Sequence, residues 1–333
     1  MRRRGRRRRA LPMPGRGTGL VLLILLAAAG VGAWLLTGND GATVRPPAAA
    51  IHQPLVSQGT STRPPAQPRA GTPPPGISLF GSGRRPIRLH FKKPPRAGLV
   101  LDLATGHVLW AHRPLEKLPI ASLTKLMTAI IVVEQTKPTD RARVTREALG
   151  YSGSGVGVLP KGKLVPVEGL LAGMLLPSGN DAALALADHI AGTDRRFVRL
   201  MNRRAKLMGL GCTHYASSYG LPDTNVSCAA DLAALSRLAM SKPRIARIVR
   251  KPSAKLRFPI KGGHLYLNST NPLLRDRFPG TIGLKTGSTD KAGHCFIGVV
   301  RRAGHTYGVV LLHSPNTLAQ SEKLLTAAFR LRP

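Results

Sequence analysis

The stretch IASLTKLMTA, residues 120–129, places a serine three residues before a lysine, at Ser122 and Lys125. Residues three apart on a helix lie on one face, so a helix here brings the lysine amine to the serine hydroxyl. A neutral amine in that position can take the hydroxyl proton and make the serine a nucleophile. The stretch therefore predicts a helix over residues 122–134, with Ser122 as nucleophile and Lys125 as its base.

Two further motifs follow along the chain, Ser178-Gly179-Asn180 and Lys285-Thr286-Gly287. A hydroxyl at Ser178 can pass a proton between Lys125 and a leaving amine. A carboxamide at Asn180 offers both a donor and an acceptor, so it can hold the lysine and bind a substrate amide. We therefore predict that Ser178 and Asn180 are catalytic residues as well.

The third motif supplies groups that suit an anionic substrate. Lys285 by its charge and Thr286 by a hydroxyl hydrogen bond would bind a terminal carboxylate. Gly287 would let an extended substrate come close to the chain. Lys285 has a second expected role, because a positive charge near Lys125, together with burial, lowers the pKa of that amine and keeps it neutral.

Each motif by itself is weak. Ser288-Thr289-Asp290-Lys291 is a second Ser-x-x-Lys, and Ser269-Thr270-Asn271 is a second Ser-x-Asn. A helix cap or a solvated lysine would explain any one of the three matches. The inference rests on the set, on its order and on the residues that flank it.

The flanking segments narrow the match to one family. They are IASLTKLMTA (120–129), LLPSGNDAA (175–183), FVRLMNRRAKLMGL (197–210) and GLKTGSTDKAGHC (283–295). From about residue 96 to its C-terminus, the chain resembles the D-alanyl-D-alanine carboxypeptidases. These are the low-molecular-weight penicillin-binding proteins, serine-type peptidases whose site carries the three motifs.

This resemblance implies an activity, a fold and one more site residue. The activity is removal of the terminal D-alanine from peptidoglycan stem peptides through an acyl-enzyme, with β-lactam antibiotics as covalent inhibitors. The fold is α+β and β-lactamase/transpeptidase-like, an antiparallel sheet flanked by helices plus a helical subdomain. The backbone N–H of Ser288 is implied to bind the oxyanion together with that of Ser122. The histidines and carboxylates show no metal-ligand spacing, so we expect no metal or cofactor.

Three alternatives remain open at this stage. A D,D-endopeptidase that cuts crosslinks would use the same residues. One kind of β-lactamase needs a glutamate after Ser-x-Asn, whereas residues 169–321 contain no glutamate. A catalytically inactive peptidoglycan-binding module is disfavoured by the intact motif set.

One loop departs from the pattern of the family. Residues 217–221 are Ser-Ser-Tyr-Gly-Leu, where family members usually carry Asn-Pro-His-Gly-Leu. We expect this change to affect substrate choice and to leave the catalytic set untouched.

Apolar patterning outlines an α+β domain. Strands are predicted at residues 98–103 and 107–112 as a hairpin, and at 282–285, 293–300 and 306–313. Helices are predicted at 181–191, 195–208, 229–240 and 317–331, besides the one that starts at Ser122. Strands at both ends of a helical middle are typical of an α+β fold.

The N-terminal residues have a different composition. Residues 1–18 carry eight arginines and residues 19–36 are uncharged and apolar or small. This pattern predicts a basic cytoplasmic N-terminus followed by a transmembrane signal-anchor or a cleaved signal peptide. Residues 37–95 are proline-rich and poor in aromatic residues, which predicts a disordered tether. The catalytic domain, 96–333, is expected to lie outside the cell membrane and to fold without the tether.

The charge of the chain bears on its partners. The formal net charge is +35 and the isoelectric point about 11.7. Such a charge can indicate nucleic-acid binding, but an exported position excludes most nucleic acids. An acidic polymer of the cell envelope is the better electrostatic partner.

Export also permits disulfide bonds. The chain has three cysteines, and Cys212 and Cys228 bracket one loop between two predicted helices. We predict that these two form a disulfide and that Cys295 stays free. Three buried thiols are the alternative.

Overall fold

The computed structural model of this chain describes residues 72–79 and 87–331. The strands within these residues are β1 (Ala97–Asp102), β2 (Val108–His112), β3 (Leu118–Pro119), β4 (Arg141–Arg143), β5 (Leu164–Pro166), β6 (Val226–Ser227), β7 (Ser253–Arg257), β8 (His264–Asn268), β9 (Thr281–Thr289), β10 (Gly293–Arg302) and β11 (His305–Leu312). The α-helices are α1 (Lys125–Gln135), α2 (Arg146–Leu149), α3 (Val167–Leu175), α4 (Asn180–Ala191), α5 (Asp194–Leu207), α6 (Ala229–Ser241), α7 (Pro243–Val249), α8 (Pro272–Arg275) and α9 (Thr317–Arg330).

Strands from both ends of the described chain form one five-stranded antiparallel sheet, in the order β2-β1-β11-β10-β9. Leu99 of β1 faces Val310 of β11, and Lys285 of β9 faces Ile297 of β10. The N-terminal hairpin therefore lies beside the C-terminal strands, with the helical middle inserted between them. This arrangement confirms the predicted α+β fold class.

The sheet separates two cores. Side chains alternate between the faces of a strand, so Leu99 and Leu101 join the large core with α1, α4 and α6. Val100 points the other way and packs with Leu324 and Leu325 of α9. Leu99, Val100 and Leu101 are all fully buried, because both faces of this strand are covered by helices.

Polar residues and glycine set several helix ends. The Thr193 hydroxyl accepts from Arg196 N at the start of α5, and the Asn316 side chain accepts from Ala319 N at the start of α9. Gly192 ends α4 with a φ of 75°, a left-handed conformation that glycine adopts without steric cost. These local contacts explain why the predicted helices at 181–191, 195–208 and 317–331 match the structure to within one residue.

The nucleophile segment differs from the predicted helix at its start. Ala121–Thr124 forms a turn of 3-10 helix, and α1 begins only at Lys125. A 3-10 helix has three residues per turn, so side chains at i and i+3 lie one above the other. The turn therefore aligns Ser122 with Lys125 more closely than an α-helix would.

Several short elements were not predicted from the sequence, and helix α3 and the β7–β8 hairpin are two of them. Helix α3 has eight buried residues out of nine, so it lacks the polar face on which helix periodicity depends. The hairpin of β7 and β8 is a separate two-stranded sheet, and β7 has only half-buried and exposed residues, so it lacks an apolar face that a pattern could reveal.

Part of the predicted tether packs on the domain. Ile77 and Ile87 are buried, and Ile87 N donates to Leu109 O at 2.6 Å. The Trp110 indole donates to Leu89 O at 3.1 Å, and Gln320 Nε2 donates to Lys93 O at 2.8 Å. These contacts show that residues 72–79 and 87–95 pack on the folded domain. Burial of Ile77 and of Ile87 removes apolar surface from water and so favours this packing.

Residues 1–71 lie outside the described part of the chain, and so do the predicted basic N-terminus and transmembrane segment. Among residues 72–79 and 87–331, every helix is too short or too polar to span a bilayer.

The predicted disulfide is confirmed. Cys212 and Cys228 are bonded, and Cys295 is a buried free thiol. Cys228 is the residue that precedes α6, and Cys212 N donates to Asp231 in the first turn of that helix. The bond and the hydrogen bond together fix the loop after α5 to the start of α6.

Candidate active site

The 3-10 turn brings Ser122 to a buried lysine. The Oγ of Ser122 lies 2.8 Å from the Nζ of Lys125. Lys125 is fully buried because the first turn of α1 passes through the large core. A buried amine beside a serine hydroxyl is the arrangement that the sequence predicted for these two residues.

Two carbonyl oxygens complete the surroundings of the Lys125 amine. Its Nζ lies 2.6 Å from Asn180 Oδ1 and 2.7 Å from the main-chain oxygen of Tyr219. The Nδ2 of Asn180 donates to Ser152 O at 2.6 Å, which turns the Oδ1 of that side chain toward the lysine. The amine is thus held by two oxygens that can only accept a hydrogen bond.

The electrostatics of the site favour a neutral Lys125. Burial, and then the nearby charge of Lys285, lower the pKa of Lys125 well below its ordinary value, while Asp181 partly opposes them. A neutral amine has two N–H groups and one lone pair. With the N–H groups donated to Asn180 and Tyr219, the lone pair is left for the hydroxyl proton of Ser122. The arrangement can therefore activate the serine as a nucleophile.

The Ser178-Gly179-Asn180 motif lies on the turn into α4. Ser178 has a φ of 69°, in the left-handed region, and Asn180 is the first residue of the helix. Beside the motif, the Asp181 carboxylate accepts from Val156 N at 2.8 Å and from Gly157 N at 2.9 Å. Sequence analysis missed Asp181, although an acid in the first turn of a helix is a known stabilising pattern.

Lys285 faces Ser178 from the sheet. Its Nζ donates to Ser178 Oγ at 2.9 Å and to Thr286 O at 2.8 Å. The side chain is 1% exposed, and burial lowers its pKa to about 7. Among the described residues, the side-chain partner of Ser178 is thus Lys285 rather than Lys125. The charge of Lys285 acts on the cleft from beneath the strand.

The rest of the Lys-Thr-Gly strand lies against the nucleophile turn. A Cβ at Gly287 would be 2.9 Å from Ile120 O and 3.0 Å from Ser122 N, so only glycine allows this approach. Thr286 Oγ1 lies 2.6 Å from Thr270 Oγ1, and Ser288 Oγ lies 3.3 Å from His294 Nδ1. β9 is the last strand in the sheet order, and an edge strand can pair with an extended peptide.

The loop at residues 217–221 touches the catalytic set, so the expectation that it would not is wrong. The main-chain oxygen of Tyr219 accepts from Lys125, and Ser218 O accepts from the Thr128 hydroxyl at 2.6 Å. Gly220 has a φ of 110° and lies against the turn, where a Cβ would be 2.8 Å from Ser122 N. The contacts are made by main-chain atoms, which the side-chain identities of the loop do not reveal.

Among residues 72–79 and 87–331, one group of metal-ligating side chains lies close together, Cys212, Cys228 and Asp231. The two sulfur atoms are joined in a disulfide, and Asp231 Oδ2 accepts from Cys212 N and from the Thr213 hydroxyl. This group is a structural anchor of α6.

The sequence model of one protein family, described as D-alanyl-D-alanine carboxypeptidase, matches residues 94–316. This range contains all three motifs in the geometry just described. The chain belongs to the D-alanyl-D-alanine carboxypeptidase family. The prediction of a serine-type D-Ala-D-Ala carboxypeptidase is thus confirmed at the level of the family, as is the β-lactamase/transpeptidase-like fold by the solved structures below.

Several proteins with D-alanyl-D-alanine peptidase names are similar to the chain. It is 34% identical to D-alanyl-D-alanine carboxypeptidase DacB2 of Mycobacterium tuberculosis, over 72% of this chain and 84% of that protein. It is 30% identical to DacF of Bacillus subtilis, over 70% of this chain and 62% of that protein. A D-alanyl-D-alanine endopeptidase of Pseudomonas aeruginosa is 31% identical, over 66% and 76%.

Among solved structures, a mutant of the Streptomyces K15 DD-transpeptidase superposes with a TM-score of 0.68 and 27% identity. The match covers 72% of this chain and 100% of the other.

Proposed function

We propose that this chain is a serine-type D-Ala-D-Ala carboxypeptidase that removes the terminal D-alanine of peptidoglycan stem peptides. The observation that supports it most is the state of Lys125. Its buried amine donates to two carbonyl oxygens and keeps its lone pair for Ser122, 2.8 Å away. That geometry serves acyl transfer, in which a serine must lose its proton as it attacks a carbonyl.

In the first step, Ser122 Oγ attacks the carbonyl carbon of the penultimate D-alanine, and Lys125 takes the hydroxyl proton. The negative charge that develops on the carbonyl oxygen would be bound by the backbone N–H groups of Ser122 and Ser288. The close approach of Gly287 to Ser122 N supports this pairing, because Ser288 is the next residue on the same strand.

Collapse of the intermediate breaks the peptide bond, and the leaving amine of the terminal D-alanine must gain a proton. Ser178 is suited to deliver it, because its hydroxyl can release its own proton to the amine as it receives the proton that Lys125 took from Ser122. This transfer would return Lys125 to its neutral form, while Lys285 donates a hydrogen bond to Ser178 Oγ. Water would then attack the ester on Ser122 and give a proton to Lys125, which passes it to Ser122 Oγ as the ester bond breaks and frees the shortened peptide.

Recognition of the substrate would use the terminal carboxylate. Thr286 has a half-buried side chain on the edge strand, and Lys285 donates to its main-chain oxygen. The Thr286 hydroxyl on the cleft side of β9 and the Lys285 ammonium beneath the strand would together favour a carboxylate beside Thr286. β-Lactams carry a carboxylate beside a reactive carbonyl, so we expect them to acylate Ser122 as covalent inhibitors.

The endopeptidase alternative is favoured by two relatives of that name, one from Pseudomonas aeruginosa and one from Haemophilus influenzae. The two activities differ in the group on the C-terminal side of the scissile bond. A carboxypeptidase should strongly prefer a free C-terminal carboxylate. Equal cleavage of free and amidated D-Ala-D-Ala peptides would favour the endopeptidase.

We also propose that the enzyme acts outside the cytoplasm at the cell membrane. The support is the arginine-rich residues 1–18, followed by the apolar residues 19–36, a pattern that directs export and can anchor a chain. Removal of residues 1–36 should shift the protein from the membrane fraction to the soluble fraction and leave its penicillin labelling unchanged.

Two measurements test the proposed reaction. The wild-type chain should release D-alanine from a D-Ala-D-Ala peptide and should be labelled covalently by a fluorescent penicillin. Ser122→Ala should lose both, while Ser288→Ala should keep the label because Ser288 is expected to contribute its backbone N–H. Labelling that persists in Ser122→Ala would contradict the assignment of the nucleophile.

A further inference from the structure

The segment Ser269-Thr270-Asn271 is the second Ser-x-Asn match in the sequence, and in the structure it lies beside the Lys-Thr-Gly strand. Thr270 lies between β8 and α8, and its exposed hydroxyl oxygen is 2.6 Å from that of Thr286 on β9. Thr286 is the residue to which we assign the substrate carboxylate. We propose that Thr270 is a positioning residue for substrate specificity, whose hydroxyl donates to Thr286 and directs the Thr286 O–H at the terminal carboxylate. This inference rests on the proposed function.

The count of donors supports this direction of the hydrogen bond. A hydroxyl has one proton and two lone pairs, so two hydroxyls 2.6 Å apart share one proton and leave the other for an outside acceptor. Within the described part of the chain, Thr270 Oγ1 has one alternative acceptor, Leu176 O, at the longer distance of 3.3 Å. When Thr270 donates to Thr286, the proton of Thr286 is free for the substrate.

A carboxylate selects this orientation over the reverse one. If Thr286 donated to Thr270 instead, an oxygen lone pair would face the anion and repel it. With Thr270 as donor, the two hydrogen bonds run in one direction and strengthen each other. The bond to the substrate is also charge-assisted, which a bond to a neutral amide is not. The pair should therefore discriminate a free C-terminus from an amidated one.

The main chain holds Thr270 rigidly in this position. Thr270 N donates to Leu176 O at 3.1 Å, and the neighbouring Ser269 N donates to Pro252 O at 2.8 Å. Leu176 lies two residues before Ser178, so Thr270 connects the Ser-x-Asn turn to the Lys-Thr-Gly strand. A hydroxyl that is already fixed costs little conformational entropy when the substrate binds.

The charge of Lys285 lies on the other side of the same residue. Its Nζ donates to the main-chain oxygen of Thr286 at 2.8 Å and is buried beneath the strand. The terminal carboxylate would therefore meet a hydroxyl donor first and a cation behind it. Because Lys285 does not face the cleft directly, the hydroxyl pair carries the directional part of the recognition.

The test compares one D-Ala-D-Ala peptide with a free C-terminus and the same peptide with an amidated C-terminus. Thr270→Val keeps the shape of the side chain and removes its hydroxyl. It should lower kcat/KM for the free acid by about three- to tenfold, the range expected for one hydrogen bond. The loss should appear in KM, and the amide should be cleaved as by the wild type. Thr270→Ser keeps the hydroxyl and should restore the preference for the acid.

A matched control and a double mutant sharpen the test. Thr326→Val removes a half-buried hydroxyl from α9, and it should leave both substrates unaffected. Adding Thr270→Val to Thr286→Val should cost nothing further, because the first residue acts only through the second.

Three results would overturn the inference. They are an equal loss on acid and amide in Thr270→Val, no change in either, and failure of Thr270→Ser to restore the preference. Each of them leaves D-alanine release and the Ser122-dependent label of the wild type intact, so the proposed function would stand. Absence of D-alanine release by the wild type would overturn both proposals.

Discussion

At the scale of single residues, the site depends on keeping two lysines buried close to one another. Lys125 and Lys285 are almost completely buried, and Asp181 is the acid that acts on Lys125. Burial disfavours the charged form of an amine, and a second amine nearby disfavours it further. The result is a lysine that is neutral at the pH where most lysines are charged, and that can therefore act as a base.

The acidic limb of the pH profile should report this coupling. Activity needs neutral Lys125, so it falls as the pH drops below the pKa of that residue. Lys285→Met removes a positive charge, which raises the pKa of Lys125 and moves the acidic limb to higher pH. The measurement is kcat/KM on a D-Ala-D-Ala peptide from mildly acidic to strongly alkaline pH, a range chosen to include the pKa of Lys285 of about 7.

Lys291→Met is the matched control, because Lys291 is exposed on the turn between β9 and β10. Its profile should coincide with that of the wild type. An acidic limb that stays in place in Lys285→Met would mean that burial alone lowers the pKa of Lys125.

Gly220 should be intolerant of a side chain. In Gly220→Ala, the methyl group would clash with Ala121 O and lie 2.8 Å from Ser122 N, at a φ of 110°. We expect a loss of at least about 1 kcal/mol in the free energy of unfolding and slower labelling by penicillin, because the nucleophile turn must move. Denaturant titration and labelling rates measure the two effects.

Gly262→Ala separates conformational strain from the steric clash. Gly262 also has a positive φ, 82°, but nothing lies within 4 Å of an added Cβ. This variant should lose stability through backbone strain and keep its labelling rate. Equal labelling rates in both variants would refute the role of Gly220 in holding the turn.

At the scale of elements, the site is assembled where several elements meet through side-chain and main-chain atoms. The 3-10 turn supplies Ser122, α4 begins at Asn180, β9 carries Lys285, and the loop at 217–221 adds a carbonyl oxygen. Glycines allow the closest approaches, since Gly220 and Gly287 both lie against the turn. Elements that belong to different parts of the sequence are thereby held at fixed distances.

The disulfide between Cys212 and Cys228 should stabilise the fold, because it ties the loop after α5 to the start of α6. Cys212 and Cys228 are 16 residues apart, and closing a loop of that length stabilises a protein by about 3 kcal/mol. The double variant Cys212→Ser, Cys228→Ser should lower the free energy of unfolding by about that amount in denaturant titration. Cys295→Ala is the control for loss of a cysteine without loss of a bond.

Mass spectrometry after thiol blocking without reduction checks the connectivity. One blocked cysteine, Cys295, is the expected result. Three blocked cysteines in the exported protein would show that the bond does not form.

At the scale of the whole molecule, one sheet joins the N-terminal hairpin to the C-terminal strands. The residues that precede β1 in sequence cover one edge of this sheet. Val108 N at the edge strand β2 donates to Ser78 O at 2.9 Å, and Ile87 N donates to Leu109 O. The segments 72–79 and 87–95 therefore cover the edge that β2 would otherwise leave open, and an open edge favours aggregation.

The start of the folded domain can be located by truncation. A chain that begins at Thr72 should be more stable than one that begins at Arg96 by at least about 3 kcal/mol, since Ile77 and Ile87 each bury an apolar side chain. Chemical denaturation measures the difference. The variant Ile87→Ala in the longer chain should show part of the same loss.

Equal stability of the two truncated chains would support the original prediction that residues 37–95 are dispensable for folding. The composition of this segment favoured that prediction, because proline-rich sequence without aromatic residues lacks the material for a core of its own. It does not exclude a few isoleucines that pack on a core formed by other residues.

The sequence by itself determined the chemistry and the fold class. Ser122, Lys125 and the two later motifs indicated a serine-type peptidase. A serine nucleophile, a lysine base and a cationic site for a carboxylate are the groups that this reaction needs, and they occur in the order that the family shows. Strand patterns at both ends of a helical middle predicted the α+β fold. Export permitted a disulfide, and the position of Cys212 and Cys228 at the two ends of one loop suggested which cysteines would form it. These conclusions follow from side-chain identity and local periodicity, both of which are read directly from the chain.

Only the tertiary structure decided which atoms surround the catalytic groups. The carbonyl oxygen of Tyr219, the hydroxyl of Thr270 and the contacts of Gly220 come from segments far from Ser122 in sequence. Every residue has a main-chain oxygen, so no residue type marks the one that will hold a lysine. Its direction depends on backbone dihedral angles and on packing between distant segments, and these exist only once the chain has folded.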